Sequence, residues 1–154
     1  MNDNAYSIEK INSHILSTYT DVVVKNAWGE TSFFYNPDNR LPRGVYFATI
    51  KIKDGENDSS SELDRPNIFR LSIGVGNDYY ELLFGSKPSR PAKGETVGMG
   101  IDFSEVDILM PHPVYAWMGW VSILSPLKDK SPALNEYIKA AYQSAVIKFN
   151  KRMK

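Results

Sequence analysis

The chain has 154 residues, no cysteine, two histidines and a formal net charge of zero from 18 basic and 18 acidic side chains. That length suits one domain that buries roughly two thirds of its unfolded surface, and the missing cysteines exclude disulfides, thiolate metal sites and cysteine nucleophiles. Neutral charge offers nucleic acid no general attraction, no run approaches the ~20 apolar residues of a membrane span, and Met1-Asn-Asp-Asn-Ala-Tyr6 lacks the parts of a signal peptide, so the expectation is a soluble cytoplasmic protein with no membrane partner, metal or cofactor.

Ser7 is placed to cap a first helix, with Glu9 in its first turn and Ile8, Ile11, Ile15 and Leu16 as an apolar stripe ending near Tyr19. Val22-Val-Val-Lys25 and Trp28-Gly-Glu-Thr-Ser-Phe-Phe-Tyr35 supply a strand, stopped by the turn Asn36-Pro-Asp-Asn39. A second strand over 46–53 sets Tyr46, Ala48, Ile50 and Ile52 against Phe47, Thr49, Lys51 and Lys53, one face buried and one mostly wet. Residues 54–62 are polar throughout and predict a mobile surface loop.

Alternation of Phe69, Leu71, Ile73 and Val75 with Arg70, Ser72 and Gly74 predicts a third strand over 68–76. Asn77 is read as the cap of a short helix through Phe84 with Tyr79, Leu82 and Leu83 inward, closed by Gly85. Residues 86–100, rich in proline and glycine, form a long loop. Asp107-Ile-Leu-Met110 and Gly119-Trp-Val-Ser-Ile-Leu124 predict two more strands. Ser131-Pro132 starts a last helix with Leu134, Ile138, Ala141, Tyr142, Ala145 and Phe149 as its apolar face. The order α-βββ-α-ββ-α, with strands grouped, predicts a single α+β domain: a mainly antiparallel sheet of about five strands covered by the first and last helices.

Three segments carry a resemblance: Leu63-Asp-Arg-Pro-Asn-Ile-Phe-Arg-Leu-Ser-Ile-Gly-Val-Gly76, Glu81-Leu-Leu-Phe-Gly85, and Leu109-Met-Pro-His-Pro-Val-Tyr115 with Gly119-Trp120. They resemble the hallmark segments of a bacterial domain family of unknown function, over nearly the whole chain. A tryptophan-bearing strand before the final helix, and an Ala-Tyr pair inside that helix, are also similar to YjbR/MmcQ-like proteins. That likeness implies a compact α+β fold similar to secretion chaperones, and DNA binding. Where YjbR-like proteins have His-x-Asn-Lys-x-His-Trp before the last strand, this chain has a lone His112 and Ala116-Trp-Met-Gly119.

The candidate site residues fall in few segments. His112, between two prolines, either caps a backbone carbonyl beside Trp120 or moves protons with Tyr115, Asp64 or Glu30 as partner. Arg65 and Arg70 offer forked donors to an anion on the open sheet face, or Arg70 forms a structural ion pair with Glu30, Asp64 or Glu81. Gly74-Val-Gly76 is too short for a nucleotide fingerprint and reads as a sharp strand-to-helix turn. Among the aromatic residues, mostly core, Trp117 stands out because it lies in a loop.

These features predict a non-catalytic binding protein that recognises a small ligand or a protein partner through Arg65, Arg70, His112, Tyr115 and Trp117, in a cleft bounded by the 86–100 loop and the His112–Trp120 segment. No catalytic residue is assigned. The alternative is DNA binding by the basic last helix, through Lys148, Lys151 and Arg152, and a histidine-dependent enzyme is the third reading.

Overall fold

In the computed structural model, which describes residues 4–154, the Ser7 side chain accepts the Lys10 amide at 3.2 Å and so opens the first helix, α1 (Ile8–Thr18), where the capping chemistry predicts. Met1, Asn2 and Asp3, part of the segment read above for a signal peptide, lie outside the described residues. The strands are β1 (Val22–Ala27), β2 (Glu30–Tyr35), β3 (Val45–Lys51), β4 (Arg70–Ile73), β5 (Met110–Pro111) and β6 (Val121–Leu124), with α2 (Asn77–Phe84) after β4 and α3 (Ser131–Arg152) last. All pair antiparallel in one sheet of order β1-β2-β3-β4-β6-β5. The α+β expectation holds, with six strands rather than about five. The extra strand arises because Trp28 (φ 49°) and Gly29 (φ 76°) both take left-handed backbone and fold residues 22–35 into a tight hairpin.

One sheet face is apolar. Phe33 pairs with Ala48, Ala48 with Ile73 and Ile73 with Val121, while Ile50 pairs with Leu71 and Leu71 with Ile123; all are buried in the main core. The inward residues of α3, Leu134, Ile138, Ala141, Ala145 and Phe149, join that core with Ile11 and Ile15 of α1. Each aliphatic side chain removed from water there contributes about 1.5–3 kcal/mol. Tyr142 stacks on Tyr19 at 4.5 Å and meets Tyr35 and Phe47 edge-on, tying α3 to the sheet.

The alternation expected for β3 breaks at a bulge. Phe33 faces Ala48 but Phe34 faces Tyr46, so Phe47 is the extra residue. It joins Ala48 and Ile50 in the core and turns Tyr46 to the opposite face beside Phe34. Ile52, expected inward, follows the strand end and is 53% exposed.

The second face is polar and carries no long helix. Ser32, Thr49, Ser72 and Ser122 form one cross-strand row, and Glu30, Lys51 and Arg70 form the next. Irregular chain covers them. Residues 54–62 are not simply a mobile surface loop, because Asp58 and Ser61 pack onto Arg70 and Ser61 is buried, as is the adjoining Leu63.

Three further boundaries move. The expected strand 107–110 shrinks to Met110–Pro111 because Asp107 takes φ 60° and binds the Leu127 amide and Lys130. In α2 the buried residue is Tyr80, and Leu82 is 80% exposed; Gly76 rather than Asn77 holds the cap position, and the Asn77 side chain accepts from Lys87. Lys130, at the end of a 3-10 turn, precedes α3 in the cap position expected of Ser131, which opens the helix itself.

Candidate functional site

Pro111, His112 and Pro113 lead out of β5 into a tight turn that winds around the histidine's own ring. The His112 amide donates to Trp120 O at 3.0 Å, the Ala116 amide donates to His112 O at 3.2 Å, and a 3-10 turn spans Ala116–Met118. Nδ1 of His112 accepts both the Val114 and the Tyr115 amides, each at 3.0 Å. The ring is therefore an acceptor for two backbone donors, not the carbonyl cap expected. With the Nδ1 lone pair so engaged, the neutral imidazole carries its proton on Nε2. The residue is 2% exposed.

Burial, reinforced by the Arg70 charge and opposed by Asp58, pushes the His112 imidazole well below the usual histidine range. An unfolded histidine gains its proton near pH 6.5, whereas the folded one stays neutral far below that. Stability associated with His112 is thus fully present above about pH 6.5 and is lost as pH falls from there towards the folded value. Urea unfolding at several pH values should show a shallower acid loss in His112→Asn, whose side-chain oxygen can still accept the two amides. Equal slopes in both proteins would remove His112 as the source.

His112 lines a cavity of about 110 Å³ on the polar sheet face with Glu30, Ser32, Tyr46, Thr49, Ser72, Tyr115 and Trp120. Ser72 Oγ is buried there without a hydrogen-bond partner. An outer cleft of about 430 Å³ lies between residues 90–94 and Val114, Tyr115 and Trp117, with Asn57 and Asp58 on its rim. Tyr115 lines both spaces. Arg90 sits 4.9 Å above the Trp117 ring, a cation-π contact that gives the exposed loop a defined wall.

The expected arginines do other work. Arg70 is 1% exposed rather than on an open face, and its partner is Asp58, none of the three acids considered. Its Nη1 donates to Asp58 Oδ1 at 2.9 Å and to Ser61 Oγ at 3.0 Å, and Nη2 donates to Asp58 Oδ2. Burial pushes the Asp58 carboxyl up, but the hydrogen bonds and charge of Arg70 outweigh it and hold that group below the usual carboxylate range. Arg65 donates to the carbonyls of Glu62, Ser61 and Ser104, ties two loops together, and lines neither space. Asp64 accepts the Asp54 amide.

His112, Tyr115 and Trp117 thus come together, Arg70 supports them from behind through Asp58, and Arg65 stands apart. Of the basic residues on α3, Lys148 and Arg152 line a third pocket, while Lys151 lies with Lys148 along a groove beside Asn77 and Asp78. The sequence reading missed Asp58 and the hydroxyl row. Thr49, Ser72 and Ser122 are each the single serine or threonine of their strands, so only the strand register brings the row together.

Gly74 lies beneath Trp120, with the position of a missing Cβ only 2.7 Å from the indole, and Gly76 takes φ 95° at the entry to α2. This agrees with the reading of Gly74-Val-Gly76 as a turn.

Among the described residues no group of three or more acidic or histidine side chains is placed to hold a metal ion, and no helix is long and apolar enough to cross a membrane. No curated protein and no solved structure matches the chain. A sequence model described as a family of unknown function, DUF6194, matches residues 6–154, and the chain belongs to that family.

Proposed function

We propose that the protein is a non-catalytic binding protein that takes a small ligand in the outer cleft, with a polar end of the ligand reaching the inner cavity at His112. The observation that carries this reading is Tyr115, which lines both spaces between the Trp117 wall and the hydroxyl row. Nε2–H of His112 and the Ser72 hydroxyl supply donors for a carbonyl or similar acceptor, and Trp117 with Tyr115 supplies flat apolar area.

The tautomer supports binding over catalysis. A general base facing the cavity needs a lone pair on Nε2, and moving the proton to Nδ1 would set it against two amide donors. Among the described residues no carboxylate hydrogen-bonds to His112, and of the charges acting on it Asp58 favours a protonated ring while Arg70 and Lys51 oppose it.

A panel of small polar aromatic metabolites screened by protein-observed NMR tests the reading. Compounds that perturb the Tyr115 and Trp117 signals should lose about tenfold in affinity in Ser72→Ala and in Trp117→Ala. Ser72→Ala should fold normally, because the deleted hydroxyl has no partner in the protein. Compounds that bind both variants as tightly as the parent would place the site elsewhere.

A further inference from the structure

The basic residues of the last helix have an aromatic counterpart that the linear chain conceals. Lys148 and Arg152 are one helical turn apart and so share a face of α3. Together with Arg43, from the turn before β3, they line a pocket of about 470 Å³ whose aromatic wall is Phe34, Tyr46 and Trp120. That volume is within the roughly 300–1,000 Å³ range of small-molecule sites.

The wall is rigid where it needs to be. Trp120 is buried against Gly74. Tyr46 stacks on Trp120 with centroids 4.8 Å apart and an interplanar angle of 29°, and it stays 38% exposed, so ring area remains open at the pocket. The bulge at Phe47 is what turns Tyr46 to this side.

The charge is one-sided. Among the described residues no acidic side chain lines the pocket. Among the described residues the ion pairs are Arg70 with Asp58 and Lys130 with Asp107, so none of the three cations has a carboxylate in ion-pair contact. Loss of surrounding water, together with the Arg152 charge, holds the Lys148 ammonium below the usual lysine range. An anionic group between the cations would relieve that repulsion and bring charge-assisted hydrogen bonds.

We propose that this pocket binds a flat aromatic ring bearing a phosphate, with the ring against Tyr46 and the phosphate among Arg43, Lys148 and Arg152. Such chemistry belongs to mononucleotides and to phosphorylated aromatic cofactors alike. The site is separate from the cleft at Trp117, although Ser32, Tyr46 and Trp120 also border the inner cavity at His112.

Calorimetric titration of the full chain with adenosine monophosphate, pyridoxine phosphate, adenosine, inorganic phosphate and a short poly-dT strand tests it. The nucleotide or the pyridoxine compound, which has no aldehyde to react with lysine, should bind, and which of them does identifies the source of the ring phosphate. Adenosine and inorganic phosphate should each bind at least about tenfold more weakly than the compound that joins ring to phosphate. Arg43→Gln, Lys148→Gln and Arg152→Gln change exposed side chains, so the fold should survive, and each should cost about tenfold in affinity. Tyr46→Leu should weaken the ring compounds and leave inorganic phosphate unchanged, and Trp117→Ala should leave all of them unchanged. Failure of both ring phosphates to bind would overturn the proposal, as would binding that survives the triple glutamine variant. Binding of the poly-dT strand alone would also overturn it and make this face a nucleic-acid surface.

Discussion

Arg70→Met should lower the unfolding free energy by about 3–5 kcal/mol, because it leaves the Asp58 carboxylate largely buried without its counter-ion. Three hydrogen bonds leave with the guanidinium, two to Asp58 and one to Ser61. The loop over 54–62 then loses its anchor on the sheet. The pair is costly to break, which differs from being strongly stabilising. Replacing both partners, Arg70→Met with Asp58→Asn, should therefore recover part of the loss. A double-mutant cycle in urea should give a coupling of about 1–3 kcal/mol. Additive single effects would show that the two groups contribute independently. Acid adds a second readout. The Asp58 carboxyl titrates below its unfolded value, so its contribution is present above about pH 4 and disappears as pH falls through the folded value. That part of the acid sensitivity should be absent from Asp58→Asn.

Gly119→Ala should cost about 2–5 kcal/mol, summing about 1–2 for left-handed backbone and about 1–3 for overpacking. Gly119 has φ 83°, and the Cβ of an alanine would lie 2.8 Å from the Gly76 carbonyl carbon and 3.0 Å from its oxygen. Here two backbones cross, and the Gly76 amide donates to Gly119 O at 3.2 Å. Neither side has a flexible side chain that could give way. The substitution forces the turn around His112 away from the β4–α2 corner, so binding at the proposed inner-cavity site should weaken along with stability. Gly98→Ala is the control: its φ is 75° but nothing lies within 4 Å of the added carbon, so only the conformational cost of about 1–2 kcal/mol remains. Similar losses in the two variants, measured by urea midpoints at unchanged slope, would exclude the steric part.

The residues that were legible along the chain are those whose partners lie within a few positions. Ser7 caps α1 through an amide three residues on, Gly85 ends α2 with φ 84°, and the spacing from Leu134 to Phe149 gives the buried face of α3. The walls of the outer cleft were legible too, because proline and glycine in 86–100 and the stiff 112–120 segment mark long, shaped loops. Tyr46 was misplaced because the bulge at Phe47 reverses the faces of the residues before it relative to those after it, and bulge positions leave little mark in a short apolar run. The partner of Arg70 was missed for a different reason. Asp58 sits in a stretch so polar that local composition gives it no distinction among Asp54, Glu56 and Glu62.

By itself the sequence determined the α+β class, the three helices and most of the strands, since hydrophobic period, caps and turns are local properties of the chain. It also determined that His112 would be held in one geometry, because the prolines at 111 and 113 fix their own φ and remove two amides. Only the tertiary structure decided what that ring meets across the sheet. Pairing β4 between β3 and β6 aligned Ser32, Thr49, Ser72 and Ser122 into one row, and burial under irregular chain gave Arg70 a single partner. The reason is physical: strand order and register are set by the sum of long-range burial, which no short window of sequence contains.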